Sequence, residues 1–385
     1  MAFLLCVGFG VLGGMRELRY SVAHTLTGRY TTRVIMMLVK YYGLVFDSDD
    51  QSWSPRADFI SNGLFRITQP KYLNDKGSES RLWPYFNEFS PADYAWARKE
   101  HYKLQAVPSY VPSNEELENF FLKPCGIRYG EQIPHMLRQE GFQSMEEYDK
   151  EQLVIAAERI NSFIVEALSC QLGVLSLAKS DTNELMWTHY ASEGKGLAVT
   201  FDEEHPFFSQ FPPKEVCYTA DKRASLTYYK GSIRINGAPI KNFQVSSFQN
   251  SFGVLQSLLN NGIDVAEFSE RLLYSKAEQW SPEDEVRIVC PLILSDKKIG
   301  PQIQPDFGVQ LPDELSNLFP TYAEINLKQI PFDAFESIVF GYSMSEADKL
   351  KIIELVGKNE NLSHLKLRVA KHNIFGKLEA VDLVV

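Results

Sequence analysis

The sequence predicts an α+β fold: a mixed, mostly antiparallel sheet with a helical insertion. β-branched and aromatic runs open the chain at 33–42 and 64–68 and return from 172 onward. Between them, residues 86–170 carry helical periodicity. Strands and helices segregated in this way are the α+β pattern.

Residues 33–42, RVIMMLVKYY, read as the first strand. FDSDDQSWSPR follows as a turn-rich loop, then one helical turn over 57–62 stopped by Gly63, a strand over 64–68, and an Asn74-Asp75 turn with Gly77 behind it. The insertion begins with PADYAWARKEHYKL, whose Pro-Ala-Asp start is a helix signal. It ends in a long helix over 144–169, with Leu153, Ala156, Ala157, Ile160, Phe163, Ile164 and Leu168 on one stripe. Next, 172–202 reads as strand, capping turn at 181–183, short helix, glycine turn and strand. A short strand over 215–219, irregular chain over 220–245 and one or two helices over 246–277 lead to a strand over 283–290. Residues 295–320 read as loop. Strands over 322–327 and 336–342, a helix over 345–356, and strands over 365–370 and 378–385 close the chain.

Residues 1–32 stand apart. Residues 2–15 are apolar but too short to span a bilayer, and their positive charges, Arg16 and Arg19, follow the apolar run, where a signal peptide needs charge ahead of it. The segment reads as poorly defined and non-native, with Met36 or Met37 as the start. Residues 33–385 read as a single α+β domain with the insertion at about 86–170.

The net charge of −10 argues against a protein that grips nucleic acid by its phosphates. Five scattered cysteines without CxxC spacing suggest neither a disulfide scaffold nor a zinc site, and fit a reducing cytoplasm. The seven histidines lack metal-ligand spacing, and P-loop, HExxH and GxSxG motifs are absent. A GxGxxG match at Gly8–Gly13 has no acidic residue closing the next strand, so it reads as chance in a glycine-rich leader.

Two constellations carry chemistry. Glu283, Glu285 and Arg287 alternate along one strand face. Two carboxylates aimed into one space, one held ionised by the arginine, can grip ribose hydroxyls or support an oxocarbenium-like centre. A solvated strand face with cross-strand pairs would show the same pattern. The second is His189 with Tyr190, both beside Met186 on the short helix, together with Trp187. That histidine is either a site residue or a hydrogen-bonded core residue, and the aromatics suit a core. Lys40, Tyr41, Arg66 and Asn74-Asp75, at strand ends and turns, mean little alone.

Taken together, LFRITQPKYLND, LMWTHYASEGKGLAVTFD, YSKAEQWSPEDEVRIV and FESIVFGYSMSEADKLKIIELV resemble, in order, the bacterial family called domain of unknown function 2971. The resemblance covers roughly 38–357. It departs at Lys76, where the family has proline after Asn-Asp, and at Val286, where it commonly has tryptophan before the arginine. Its layout is similar to that of ADP-ribosyltransferase-type folds, which place a glutamate on a late strand against a ribose hydroxyl of NAD. The resemblance thus implies Glu285 as catalytic with Glu283 assisting. It puts Lys40, Tyr41, Arg66 and Arg287 near the cofactor, and His189 or Tyr190 on the nicotinamide wall. It further implies a cytoplasmic bacterial protein that consumes NAD, with a role in conflict with phage and a macromolecule or water as acceptor. The alternative is a non-enzymatic interaction or sensor module. Convergence of Lys40, His189 and Glu285 on one cleft is the geometric condition for the transferase-like layout.

Overall fold

The computed structural model describes residues 37–48, 51–104, 110–240 and 263–383, with a few positions between 253 and 261. The N-terminal segment, the Gly8–Gly13 match and most of the helix expected before residue 263 lie outside the described residues. In chain order the strands are β1 (Leu38–Tyr42), β2 (Leu44–Asp47), β3 (Ser52–Pro55), β4 (Leu64–Ile67), β5 (Trp83–Phe86) and β6 (Leu172–Ala178). They continue with β7 (Leu197–Phe201), β8 (Lys214–Glu215), β9 (Ser225–Tyr229), β10 (Ser232–Ile235), β11 (Ala238–Pro239) and β12 (Glu285–Pro291). The last are β13 (Lys297–Ile303), β14 (Tyr322–Gln329), β15 (Phe335–Phe340), β16 (Lys366–His372) and β17 (Leu378–Asp382).

The protein is α+β. Its largest sheet runs β17-β16-β15-β7-β1-β6-β12-β8 and is antiparallel except where β15 lies parallel to β16. A parallel neighbour needs a crossover, and the helix Glu346–Lys358, capped by the Ser345 side chain, supplies it. The middle strands carry almost unbroken apolar runs: LGVLSLA in β6 and LAVTF in β7 are buried on both faces. One face meets the main core, where the stripe of the helix Met145–Ser169 packs through Ile160, Phe163 and Ile164. The other meets a smaller cluster of Val39, Tyr41, Trp187 and Ala198.

Two smaller sheets flank this one, β11-β10-β9-β5 and β13-β14-β4. The first anchors the helical insertion. Asp93, in the helix Pro91–Leu104, is fully buried and accepts from Arg234 Nε at 3.0 Å and from Thr227 Oγ1 at 2.5 Å. The second brings β4 across β6. A side chain at Gly173 would begin 2.8 Å from Ile67 Cβ, so only glycine lets the strands approach this closely. Thr68 bridges to Val174 there, which fixes where Arg66 and Thr68 stand.

Five readings need correction. Glu283 does not share a strand face with Glu285 and Arg287: it ends a 3-10 turn over Glu278–Glu283, and Asp284 at positive φ separates it from β12. FDSDDQSWSPR is a hairpin, β2 paired with β3, although its polar sequence reads as a turn. The strand expected over 215–219 shrinks to the edge pair Lys214–Glu215, because Cys217 bridges elsewhere, to Ser275. The described part of the stretch expected to be irregular, 220–240, is ordered into strands. Lys230 and Gly231, both at positive φ, form a two-residue turn that joins β9 to β10. The loop expected over 295–320 begins with β13, an exposed edge strand whose sequence KKIGPQI has no buried face to impose alternation.

Candidate functional site

The site opens where two central strands part. β1 is hydrogen-bonded to β7 over its whole length, and β6 to β12 likewise. Between β1 and β6 the register is confined to Val39 opposite Ala178. Beyond that pair the strands splay. The gap is a cleft of about 250 Å³, lined by Lys40 and Tyr41 from β1, Ser176 to Ala178 from β6, Arg66 and Thr68, Asn74 and Glu79, Met186 and Tyr190, and Lys276, Glu283 and Glu285. One water needs about 10–15 Å³ by this measure, so the cleft has room for a ligand. Lys40 spans the gap and donates from Nζ to the Ser176 carbonyl at 2.8 Å.

One wall is a buried ion network. Glu285, the first residue of β12, accepts from Arg287 in a fork, Nε to Oε1 at 2.8 Å and Nη2 to Oε2 at 3.0 Å. Arg287 is fully buried, and it also donates to the Leu273 carbonyl at 2.7 Å and to Glu79. Lys276 donates to Glu283 Oε2 at 2.6 Å and to Glu285 Oε2 at 3.3 Å, and its ammonium lies 4.8 Å from the centre of the Trp280 ring. Tyr190 donates its hydroxyl to Glu283 Oε1 at 2.6 Å. The Asn74-Asp75 turn joins from the far side: the Asp75 N–H donates to Glu79 Oε2 at 3.0 Å, and Asn74 Nδ2 donates to the Tyr190 hydroxyl at 3.4 Å. Three carboxylates therefore share two cations.

Charge decides the protonation states. Burial alone would raise the Glu285 carboxyl, but the charge and hydrogen bonds of Arg287 and the charge of Lys276 outweigh it and hold it at about 2. Burial also works against Lys276, yet Glu285, Glu79 and Glu283 carry its pKa above that of an ordinary lysine. Tyr190 is pushed up to about 12 by burial and by its bond to Glu283. Lys40 moves the other way. Burial brings it down to about 8, against the pull of Glu285 and with Arg56 and Arg66 adding repulsion. Glu285 is thus a fixed anion and an acceptor, unable to serve as an acid near neutral pH.

Of the residues singled out in the sequence, Lys40, Tyr41, Arg66, Tyr190, Glu283 and Glu285 line this cleft. Tyr41 turns its hydroxyl away, donating to the Ser180 carbonyl at 2.6 Å, and packs edge-on against Trp187. Arg287 stands behind Glu285, out of reach of the cleft. His189 is exposed and outside it. The helix Glu184–Tyr190 buries Trp187 completely and ties its Nε1 to the Asp181 carbonyl at 2.7 Å. Two residues further along a helix is a rotation of about 200°, so His189 faces solvent while Met186 and Tyr190 share the cleft side. The three-residue condition is met by Lys40 and Glu285 and not by His189.

Sequence reasoning missed Glu79, Lys276 and Arg56. Lys276 left a signal, since a lysine at the end of an apolar helix nine residues before Glu285 is a natural counterion for buried carboxylates. Glu79 left none, because only the folded turn carries it to Arg287.

The fold and cleft define an α+β protein with a polar, charge-partitioned pocket in the middle of its main sheet. The model of the family described as Protein of unknown function (DUF2971) matches residues 186–288, which bears out the family resemblance over that segment. The match runs from the Trp-Thr-His-Tyr helix to β12 and includes Tyr190, Lys276, Glu283 and Glu285. Comparison with curated proteins and with solved structures returns no match.

Proposed function

We propose that the cleft binds a ribose-containing nucleotide, NAD being the first to test, and that the chain is an NAD-consuming enzyme whose site departs from the ADP-ribosyltransferase-like layout in leaving out His189. The observation that supports this is the meeting of Glu283 and Glu285 with Lys40 in one cleft, although the chain separates them by more than two hundred residues. An ionised, hydrogen-bonded carboxylate suits a ribose hydroxyl as acceptor and a developing oxocarbenium ion as counter-charge. In such a reaction the bond between ribose C1′ and the nicotinamide nitrogen breaks, and nicotinamide leaves with the electron pair. Water or a macromolecular hydroxyl then bonds to C1′ and loses its proton. In this reading Tyr190 and Glu283 hold the sugar, and His189 takes no part. A role in conflict with phage would follow from depletion of NAD or modification of a macromolecule.

A second reading, a sensor that binds the nucleotide without turning it over, is favoured by one observation. Lys276 and Arg287 hold both carboxylates in internal hydrogen bonds. Incubation with labelled NAD separates the two. Nicotinamide release by the wild type that is lost in Glu283→Gln and Glu285→Gln supports the enzyme. Equal release in wild type and Glu285→Gln, or none in either, removes it, and tight NAD binding without release supports the sensor.

A further inference from the structure

Beside this cleft, and sharing Lys40, Tyr41, Arg66, Thr68 and Tyr190 with it, lies a second lobe of about 280 Å³ that is also walled by Arg56. The three basic residues come from separate elements. Lys40 is on β1, Arg66 is on β4, and Arg56 directly follows β3. Among the described residues none of the three forms an ion pair with a carboxylate, and the Arg66 Nε is buried without a hydrogen-bond partner. Among the described residues the fully buried cations are all paired, Arg234 with Asp93, Lys276 with Glu283 and Arg287 with Glu285, whereas Lys40 and Arg66 are half-buried and Arg56 is exposed. A chain of net charge −10 does not lack carboxylates to offer. Three like charges brought together repel one another: burial is the main cause of the depression of Lys40, and Arg56 and Arg66 add to it.

We infer that this lobe is an anion subsite that takes the phosphate or pyrophosphate group of a small-molecule ligand, with Arg66 as its anchor and Lys40 and Arg56 closing around the same group. Guanidinium groups match phosphate oxygens in pairs, and Thr68 adds a hydroxyl. The anion follows from the geometry alone. Its assignment to a nucleotide rests on the function proposed above, with the phosphates in this lobe and the ribose against Glu283.

Calorimetric titration of the full chain with inorganic pyrophosphate, ADP-ribose and adenosine tests it. Pyrophosphate and ADP-ribose should bind, adenosine far more weakly. Arg66→Gln should weaken pyrophosphate binding by about tenfold or more, and rising salt should weaken it in the wild type. Arg56→Gln, at an exposed position that folding does not need, should weaken it in the same direction. No binding of pyrophosphate to the wild type, equal affinity for adenosine and ADP-ribose, or wild-type affinity in both variants would overturn the inference. Pyrophosphate binding that is lost in Arg66→Gln, with neither binding nor turnover of NAD, would leave the subsite standing and refute the nucleotide reading instead.

Discussion

Replacing Glu285 by glutamine keeps the shape of the side chain and removes one charge from the buried network. Arg287, fully buried, then keeps Glu79 and at most one acceptor oxygen of the amide. The carboxyl is held at about 2 in the folded protein, against an ordinary value of 4.5. At about 1.4 kcal/mol per pKa unit the charge contributes about 3 kcal/mol to stability near neutral pH. That agrees with the roughly 3–5 kcal/mol typical of breaking one side of a buried pair. The sign follows from the downward shift. The contribution is complete above the unfolded value of 4.5 and is lost as pH falls toward 2. Urea unfolding of wild type and Glu285→Gln at pH 7 should differ by about 3 kcal/mol with unchanged slopes, and the difference should shrink below pH 4.5. A variant as stable as the wild type at pH 7, or a difference independent of pH, would refute the network as described. The result also governs the activity test, because a loss of turnover in Glu285→Gln counts as chemical only where the variant is shown to be folded.

Three other outcomes follow from the same geometry. Tyr190→Phe removes the donor to Glu283 and should cost about 1 kcal/mol in urea unfolding. Because Tyr190 titrates only near 12, the loss should be constant from pH 6 to pH 9. Gly194→Ala places a methyl 2.5 Å from the Tyr342 ring at a residue with φ of +74°, so its melting temperature should fall by several degrees, while Gly357→Ala, with open space around it, should not destabilise. Anion binding should depend on Lys40, whose charge is lost as pH rises through about 8. Pyrophosphate affinity in the wild type should fall from pH 7 to pH 9, and the fall should be absent in Lys40→Met.

The central sheet was legible in the sequence because its strands are extreme. β6 and β7 coincide with the apolar runs read at 172–178 and 197–201, and Gly63 ends the early helical turn as its position suggests. The hairpins were not, because β3 and β13 are largely exposed, and β2 is four residues long and only half-buried at Leu44 and Val45, so none leaves an alternation to find. The candidate site divides in the same way. Glu283, Glu285, Lys40 and Arg66 could be picked out by residue type, but the part each plays depends on partners distant in sequence. Lys276 and Glu79 decide which carboxylates are neutralised, and the burial of Trp187 decides that Tyr190 and not His189 faces the cleft. No spacing rule within one strand or helix reports such pairings.

The placement of β1 in the middle of the main sheet bears on how the chain acquires this pocket. Its neighbours are β7 and β6, so Leu38–Tyr42 can complete neither edge until residues 172–201 have been made. At translation rates of about 5–20 residues per second that is a delay on the order of ten seconds. During it LVKYY is a bare apolar strand with both edges open to other chains. Sheet neighbours this distant also carry a high contact order, which slows folding through loop closure. Removing the insertion over 91–169 would shorten the loop between β1 and β6, but would also strip the main core of Ile160, Phe163 and Ile164. The kinetic cost of closing the pocket is therefore built into the topology, and nascent chains stalled before residue 172 should be the species that chaperones hold.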